Sequence, residues 1–190
     1  SGYPAQMLVL DSSSDRSGGD EAEQLIQTAP NIQRVEFSSD IHPIAKQSKG
    51  IEAVSTPYVA LWADDDMLVP SALETAVRFL DENHDFSVAH GQCGLFRVGH
   101  DGDISCGIYP QRSYLRETAG ERLMEYLSNY SVLVYSVHRT GDLQQSLGRA
   151  DEHGFHYFWG ELALGCLSVI QGKAHKSDGL FMMRESHDAM

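Results

Sequence analysis

The segment PYVALWA at 57–63 is almost entirely apolar, and three consecutive aspartates, Asp64, Asp65 and Asp66, follow it closely. A run of this kind predicts a strand that is covered on both faces, which is typical of a parallel sheet between helices. The three carboxylates repel one another, and each raises the affinity of its neighbours for protons. We therefore expect a partner, such as a cation, that offsets this repulsion.

Apolar periodicity divides the rest of the chain into predicted strands and helices. Strands are predicted at 7–10, 32–38, 85–98 and 130–139 and from 179, and helices at 19–29, 44–55, 70–80, 141–148 and 156–172 and after Thr118. Two capping signals support the helix starts, Ser71 with Glu74 and Thr118 with Glu121. Strands that alternate with helices over the first half indicate an α/β sheet. A chain of 190 residues suits a single domain over 1–190.

The formal charge of −13 disfavours nucleic acid and an anionic bilayer as partners. No apolar stretch approaches the ~20 residues that cross a bilayer, and the start, SGYPAQ, lacks the pattern of a secretion signal. We expect a soluble, cytoplasmic protein.

The three cysteines form no CxxC pair and are predicted to be reduced thiols. The nine histidines show no HxxxH or HExxH spacing, which argues against a zinc site built from a local motif.

Two acidic loops follow predicted strands, DSSSD at 11–15 and ADDD at 63–66. Ligands of open α/β sheets bind outside the carboxyl ends of the strands, so we expect both loops to share one edge of the sheet. Three adjacent carboxylates suit a hard divalent cation, Mg²⁺ or Mn²⁺, which takes oxygen ligands together with substrate phosphates. The alternative is an acidic turn whose carboxylates simply face water.

The segment PYVALWADDDMLVPSAL resembles the metal-binding segment of nucleotide-sugar glycosyltransferases with the GT-A fold, particularly the large inverting family 2. LVLDSSSD resembles their nucleotide-binding loop, and IAKQSKGIEAVSTPYVAL resembles the helix that leads into their metal strand. The resemblance implies a GT-A type α/β sheet, mostly parallel, with helices on both faces.

The strand that usually opens such enzymes, and lies at the centre of their sheet, has no counterpart in this sequence. Either the chain is a fragment, or the fold fills that place in another way. A missing central strand would expose backbone donors and acceptors, so we also expect self-association.

The resemblance assigns roles to the acidic triplet. Asp65 resembles the carboxylate that binds the metal, and Asp64 the one nearer the ribose or the metal shell, while Asp66 takes the last place of the DXD-type motif. His187 resembles a histidine that completes the metal or diphosphate shell in some of these enzymes, although a histidine in a tail is more often incidental. The implied cofactor is Mn²⁺ or Mg²⁺.

The nucleotide side of the site is assigned in the same way. Asp11 matches the first acid of the family's nucleotide loop, but Ser12 stands where a second acid is usual, which leaves the base undecided with a UDP-sugar favoured. Lys46 and Lys49 would lie near the diphosphate if their helix passes the site. Two cations are informative in so acidic a chain, and the alternative is a solvated helix face.

Glu161 resembles the late acidic residue that serves as general base on the acceptor hydroxyl. The family more often has two acids there, and Gly160 takes the first place in this chain; the alternative is an ordinary helix residue that faces solvent. His138 and Arg139 resemble the end of a strand that borders the acceptor pocket.

The activity that this resemblance implies is metal-dependent, inverting transfer of a sugar from a nucleotide-diphosphate sugar to an unknown acceptor hydroxyl. The alternative is a non-catalytic nucleotide-binding module derived from such an enzyme. A third, weaker hypothesis is a phospho-acceptor regulatory domain, but the sequence shows neither an isolated acceptor aspartate nor a later strand-end lysine.

Overall fold

The computed structural model of the chain describes residues 5–14, 20–99 and 101–186. The elements follow in the order β1 (Met7–Asp11), α1 (Asp20–Thr28), β2 (Ile32–Glu36), α2 (Pro43–Ile51), β3 (Tyr58–Ala60), β4 (Met67–Leu68), α3 (Pro70–Glu82), β5 (Phe86–Val98), β6 (Ile104–Tyr109), α4 (Ala119–Ser128), β7 (Val137–Arg139), α5 (Thr140–Glu152), α6 (Tyr157–Gln171) and β8 (Lys173–Glu185). The α/β class predicted from the sequence is confirmed.

The strands form two sheets. Strands β1 and β2 pair in parallel, and a six-stranded sheet has the order β3-β7-β5-β8-β4, with β6 added to β5. Within the larger sheet only β5 and β8 run parallel, while the pairs β3–β7, β5–β7, β4–β8 and β5–β6 are antiparallel. The expected mostly parallel sheet is therefore wrong, and the sheet is mixed. One reason is that β6 follows β5 through a tight turn, which forces the two strands to run in opposite directions.

Strand β5 lies at the centre and carries a core on each face. Val88 packs with the cluster formed by α4 and α6, which includes Tyr126 and Val169, whereas the next residue, Ala89, packs with the cluster that includes Leu80 of α3 and Leu147 of α5. Because successive side chains of a strand point to opposite faces, one strand can hold both clusters together. The prediction of helices on both faces is confirmed.

Two predicted strands are shorter in the structure than the apolar runs that predicted them. Of 57–63 only Tyr58–Ala60 pairs, and of 130–139 only Val137–Arg139 pairs. Residues 131–136 are nevertheless buried and contain a turn in which the amide of Ser136 donates to the carbonyl of Leu133 at 3.0 Å. An apolar run indicates burial, and burial alone does not specify a strand.

Helix starts show one confirmed and one wrong capping prediction. At α4 the amide of Glu121 donates to Thr118 Oγ1 at 3.3 Å, and the amide of Thr118 donates to Glu121 Oε2 at 3.2 Å, so the capping box is formed. At α3 the capping position falls on Val69, since Pro70 takes the first helical position. Ser71 therefore lies inside the helix and cannot cap it.

Helix α2 joins the small sheet to the body of the molecule. Among the described residues, β1 pairs only with β2, and β3 pairs only with β7, so no ladder connects the two sheets. Instead α2 packs against β1 on one side and against α5 and α6 on the other. A Cβ on Gly50 would lie 2.5 Å from the methyl groups of Leu10, so any larger residue there would require the Leu10 side chain to move.

Two histidines are fully buried in the core. The Nε2 atom of His138 lies 3.0 Å from the carbonyl oxygen of Leu133, and the Nε2 atom of His90 lies 3.1 Å from that of Arg112. Burial lowers the pKa of each imidazole to about 4. Both rings are therefore neutral at pH 7.

We predict that the protein loses stability in mild acid because of these two rings. An unfolded histidine has a pKa of about 6.5, so the contribution of each ring is complete above that pH and declines as the pH falls towards about 4, by up to about 1.4 kcal/mol per pH unit. Urea unfolding at pH 7 and pH 4.5 measures the difference. The variant His138→Gln should show a smaller difference than the parent, whereas His84→Asn, at an exposed position, should match it. An unchanged pH dependence in His138→Gln would contradict the prediction.

Candidate active site

The acidic triplet does not act as a single exposed cluster. Asp64 and Asp65 lie in a turn and are exposed, and the amide of Asp66 closes that turn by donating to the carbonyl of Ala63 at 3.3 Å. The side chain of Asp66 is only 3% exposed. The carboxylates of Asp64 and Asp65 therefore face solvent, whereas that of Asp66 faces the interior.

Strand register places Asp66 beside Arg184. Met67 of β4 pairs with Met183 of β8 in the antiparallel ladder, so Asp66 and Arg184 lie side by side at the end of that pairing. Asp66 Oδ2 and Arg184 Nε are 3.4 Å apart. Burial raises the pKa of Asp66, and the positive charge of Arg184 opposes that rise. The repulsion within the triplet is offset, at least in part, by a cation that belongs to the chain itself.

Arg184 is held by an aromatic ring as well as by charge. Its guanidinium carbon lies 4.5 Å from the ring centroid of Tyr135, a cation–π distance. Burial alone would lower the pKa of Arg184, but Tyr135, Asp66 and Glu161 together raise it. The side chain of Arg184 is 25% exposed, although its Nε atom is buried.

Glu161 forms the other half of the site. The hydroxyl of Tyr130 donates to Glu161 Oε1 at 2.7 Å, and the pKa of Tyr130 is raised by burial and by this hydrogen bond. Glu161 also lines a small cleft with Ile44 and Gln47 of α2 and with Tyr135. Since Tyr135 contacts Arg184, the structure brings the predicted base and the acidic turn to one region.

Gly160, which stands where the family more often has an acid, has no room for a side chain. A Cβ at this position would lie 2.5 Å from Ile44 Cδ1, because α6 packs directly against α2 there. An acid at this position would therefore require Ile44 to move.

Residues predicted to bind the nucleotide lie near the end of β1. Lys46 Nζ donates to Ser12 Oγ at 2.9 Å, and the amide of Ser13 donates to Asp11 Oδ1 at 2.9 Å. Asp11 also lies 4.0 Å from Arg34, which pairs more closely with glutamates. Lys49 is exposed on the next turn of α2. Asp11, Ser12 and Lys46 thus form one group, and Lys49 lies farther out on the helix.

Helix α2 connects this group to the rest of the site. Lys46 contacts the loop after β1, and the neighbouring Gln47 lines the cleft beside Glu161. The Oε1 atom of Gln47 is buried and has no hydrogen-bond partner among the described residues. Helix α2 therefore holds a cation beside Ser12 and a buried acceptor, Gln47 Oε1, beside Glu161.

Residues 5–14, 20–99 and 101–186 contain no group of three or more Asp, Glu, His or Cys side chains placed to hold a metal ion. Asp64 and Asp65 still fit a hard cation in a limited sense, because Mg²⁺ is commonly bound through one or two carboxylates plus substrate phosphates. Asp66, beside Arg184, is less suited to coordinate a metal. His187 lies outside the described residues.

Two residues that were predicted to border the acceptor pocket have structural roles. His138 is fully buried, as described above. The guanidinium of Arg139 donates to the carbonyls of Phe86 at 2.9 Å and Leu80 at 2.8 Å and so ties α3 to the sheet. These hydrogen bonds hold the side chain of Arg139 between α3 and the sheet.

Sequence reasoning missed Arg184, Tyr130 and Tyr135. A single cation in the apolar stretch GLFMMRE could have drawn attention to Arg184. The tyrosines gave no comparable signal, because they lie in or near a segment that was predicted to be a regular strand.

The chain resembles known proteins in its structure and not in its sequence. No protein-family profile matches the chain, and no curated protein matches it. Among solved structures, the chain is similar to S. aureus TarS 1–349, with a TM-score of 0.60 and 16% identity over 95% of this chain and 51% of that one. It is similar to a second chain of S. aureus TarS, with a TM-score of 0.65 and 16% identity over 95% of this chain and 31% of that one.

The chain therefore shares its fold with these S. aureus TarS structures over 95% of its own length. The chain spans about half of the first TarS chain and about a third of the second. No helix among the described residues is long and apolar enough to cross a membrane.

We predict that Asp66 and Arg184 stabilise the fold as a pair. Asp66→Asn leaves a half-buried guanidinium without its carboxylate, and Arg184→Met leaves a buried carboxylate, so each should cost about 1–3 kcal/mol. The double variant should cost clearly less than the sum of the two, as expected for residues in contact. Urea denaturation of the four proteins completes the cycle, and additive losses would show that the two side chains do not interact.

Proposed function

We propose that the chain is part of a glycosyltransferase that moves a sugar from a nucleotide-diphosphate donor to an acceptor hydroxyl, in a metal-dependent reaction that inverts the anomeric centre. The observation that carries the proposal is the convergence of Asp66, Arg184 and Tyr135 with Glu161 beside the exposed acidic turn. The fold that the chain shares with S. aureus TarS, a glycosyltransferase of the family 2 type, supports the proposal. A nucleotide-sugar donor and an acceptor are the partners that such a fold implies in general.

On the donor side, Asp11 and Ser12 at the end of β1, together with Lys46, would bind the nucleoside. Lys46 lies on the helix that leads from this group towards Glu161, so its charge is placed to meet a diphosphate that extends across the same region. We keep UDP as the favoured nucleotide, although Ser12 occupies the place of a usual acid. Lys49, one turn along α2, would add a weaker electrostatic contribution at an exposed position.

The departing diphosphate needs positive charge as the bond to the sugar breaks. Asp65 and Asp64 would hold Mn²⁺ or Mg²⁺ together with diphosphate oxygens, and such an ion would supply Lewis-acid stabilisation of the leaving group. Arg184 provides a second positive charge whether or not a metal is bound. We propose that the guanidinium of Arg184 faces the leaving group from the side opposite the exposed turn, with Asp66 and Tyr135 holding its orientation.

On the acceptor side, Glu161 would remove the proton of the attacking hydroxyl. The hydroxyl of Tyr130 donates to Oε1 at 2.7 Å, and Oε2 would accept the proton. A single carboxylate is sufficient for this role in an inverting reaction, since the acceptor attacks from the face opposite the leaving group. General-base help of this kind contributes about 10²–10⁴-fold to a rate.

A non-catalytic nucleotide-binding module is the second candidate. It is favoured by the salt bridge between Asp66 and Arg184, which satisfies part of the acidic motif without a metal, and by the closed position at Gly160. Binding without turnover of any donor sugar would select this candidate.

A location in the cytoplasm stays a prediction from the sequence.

We predict that UDP with Mn²⁺ raises the melting temperature of the protein by several degrees, because a ligand at about 100 times its Kd stabilises by about 2.7 kcal/mol. Differential scanning fluorimetry with UDP, ADP and GDP, each with and without Mn²⁺, measures the shift. Asp65→Asn should remove most of its Mn²⁺-dependent part. Asp101→Asn, which makes the same change in an exposed turn, should leave it intact. Equal shifts in Asp65→Asn and the parent would remove Asp65 from the metal site.

We predict that Glu161→Gln keeps the UDP–Mn²⁺ shift but lowers transfer by about 10²–10⁴-fold, since the amide cannot accept the proton. Release of UDP from UDP-sugars, in the presence of a mixture of glycan acceptors, measures the reaction. Glu82→Gln on α3, at an exposed position, is the matched control and should transfer normally. Normal transfer by Glu161→Gln would exclude Glu161 as the base, and loss of the shift would indicate a role in donor binding instead.

A further inference from the structure

Strand β6 is an exposed edge of the larger sheet. Among the described residues it pairs only with β5, and residues 104–108 are all exposed. Ile104 and Ile108 are 68% and 76% exposed, and Val98, which pairs with Ile104 on β5, is 52% exposed. Large aliphatic side chains this open to water, next to unpaired backbone groups, are a template for pairing with another strand.

The sequence of β6, ISCGIY, has none of the usual protections of an edge strand. It contains no charged residue and no proline, and its register with β5 runs without a bulge. The other edges in the described part of the chain are different. In the two-stranded sheet, β1 is mostly half-buried and ends in Asp11, and β2 carries Arg34 and Glu36. In the larger sheet, β3 and β4 have only three and two residues. Strand β6 is thus the edge best suited to extended pairing.

Strands β5 and β6 form a hairpin, and the end of this hairpin near the turn is not paired with a third strand. Strand β5 pairs with β8 as far as Phe96, and beyond that point the hairpin has only its own two strands. A two-stranded ribbon is marginally stable in water, whereas a sheet of three or more strands is stable. An added strand along β6 would therefore stabilise the ribbon as well as cover its edge.

The partner that fits this edge is a second copy of the chain. Two molecules that each carry a charge of −13 repel each other over most of their surfaces, so contact is favoured where charge is absent. The uncharged strand β6 meets that condition when it pairs with itself. The alternate residues Ile104, Cys106 and Ile108, which share one face of the strand, are symmetric about Cys106, and this suits a two-fold axis and a closed dimer.

We propose that β6 is a dimer contact: it pairs antiparallel with β6 of a second copy about a two-fold axis at Cys106. In this register Ile104 of each chain lies opposite Ile108 of the other, and the two Cys106 residues face each other. The strand order becomes β5-β6-β6-β5 across the contact. Pairs of β-branched residues placed opposite each other in this way stabilise a sheet. The proposal is independent of the proposed transferase activity.

Sedimentation equilibrium of the full 190-residue chain up to about 0.1 mM measures the contact directly. We expect the apparent mass to rise from 21.0 kDa towards twice that value as the concentration increases. Opposed Cα atoms in an antiparallel pair are about 4.5–5.5 Å apart, within the range of a disulfide. Mild oxidation of the untouched protein should therefore give a Cys106–Cys106 cross-link, identified by peptide mapping, and Cys106→Ser should abolish it.

Two variants with the same change in charge test whether the dimer contact lies on β6 or elsewhere on the surface. Ile108→Asp should weaken dimerisation at least about tenfold, since it places a carboxylate opposite an isoleucine at the contact. Met124→Asp, on the exposed face of α4, should dimerise like the parent. A monomer at all concentrations, a dimer that Ile108→Asp does not weaken, or a dimer that forms no Cys106 cross-link would each overturn the proposal.

Discussion

The pairing of Asp66 with Arg184 is the interaction that organises the candidate site. It results from the antiparallel register of β4 and β8, which places the last carboxylate of the acidic turn beside a cation from the far end of the chain. Arg184 in turn contacts Tyr135, and Tyr135 lines the cleft that contains Glu161. Two segments about a hundred residues apart in sequence are held in one region by this series of contacts.

The role of Asp66 in this arrangement separates two functions within the acidic turn. A carboxylate that is 3% exposed and faces a guanidinium acts as a counter-ion, whereas its two exposed neighbours can meet a ligand. A cation that belongs to the protein stays in place when substrate and product leave. Removing either partner of such a pair would leave an uncompensated charge, so the two side chains constrain each other's position.

The sequence predicted those parts of the fold that local patterns specify. Helices α3, α4 and α6 and strand β5 appear where apolar periodicity placed them, and the capping box at Thr118 formed. The direction of the strands was not predictable in this way, because pairing between β4 and β8 or between β3 and β7 joins segments that are distant in sequence. Asp65 and Glu161 are singled out by their sequence context alone, and their roles stay predictions. Arg184 could not be assigned a partner, since its contact with Asp66 depends on that long-range register.

The close approach of α6 and α2 at Gly160 couples the two halves of the site. Ile44 fills the space that a side chain at position 160 would need, so a larger residue there requires either the Ile44 side chain or helix α2 to move. That helix also carries Lys46 and its hydrogen bond to Ser12, so a movement of α2 would reach the residues after β1. Position 160 therefore links the packing around Glu161 to the packing around Ser12.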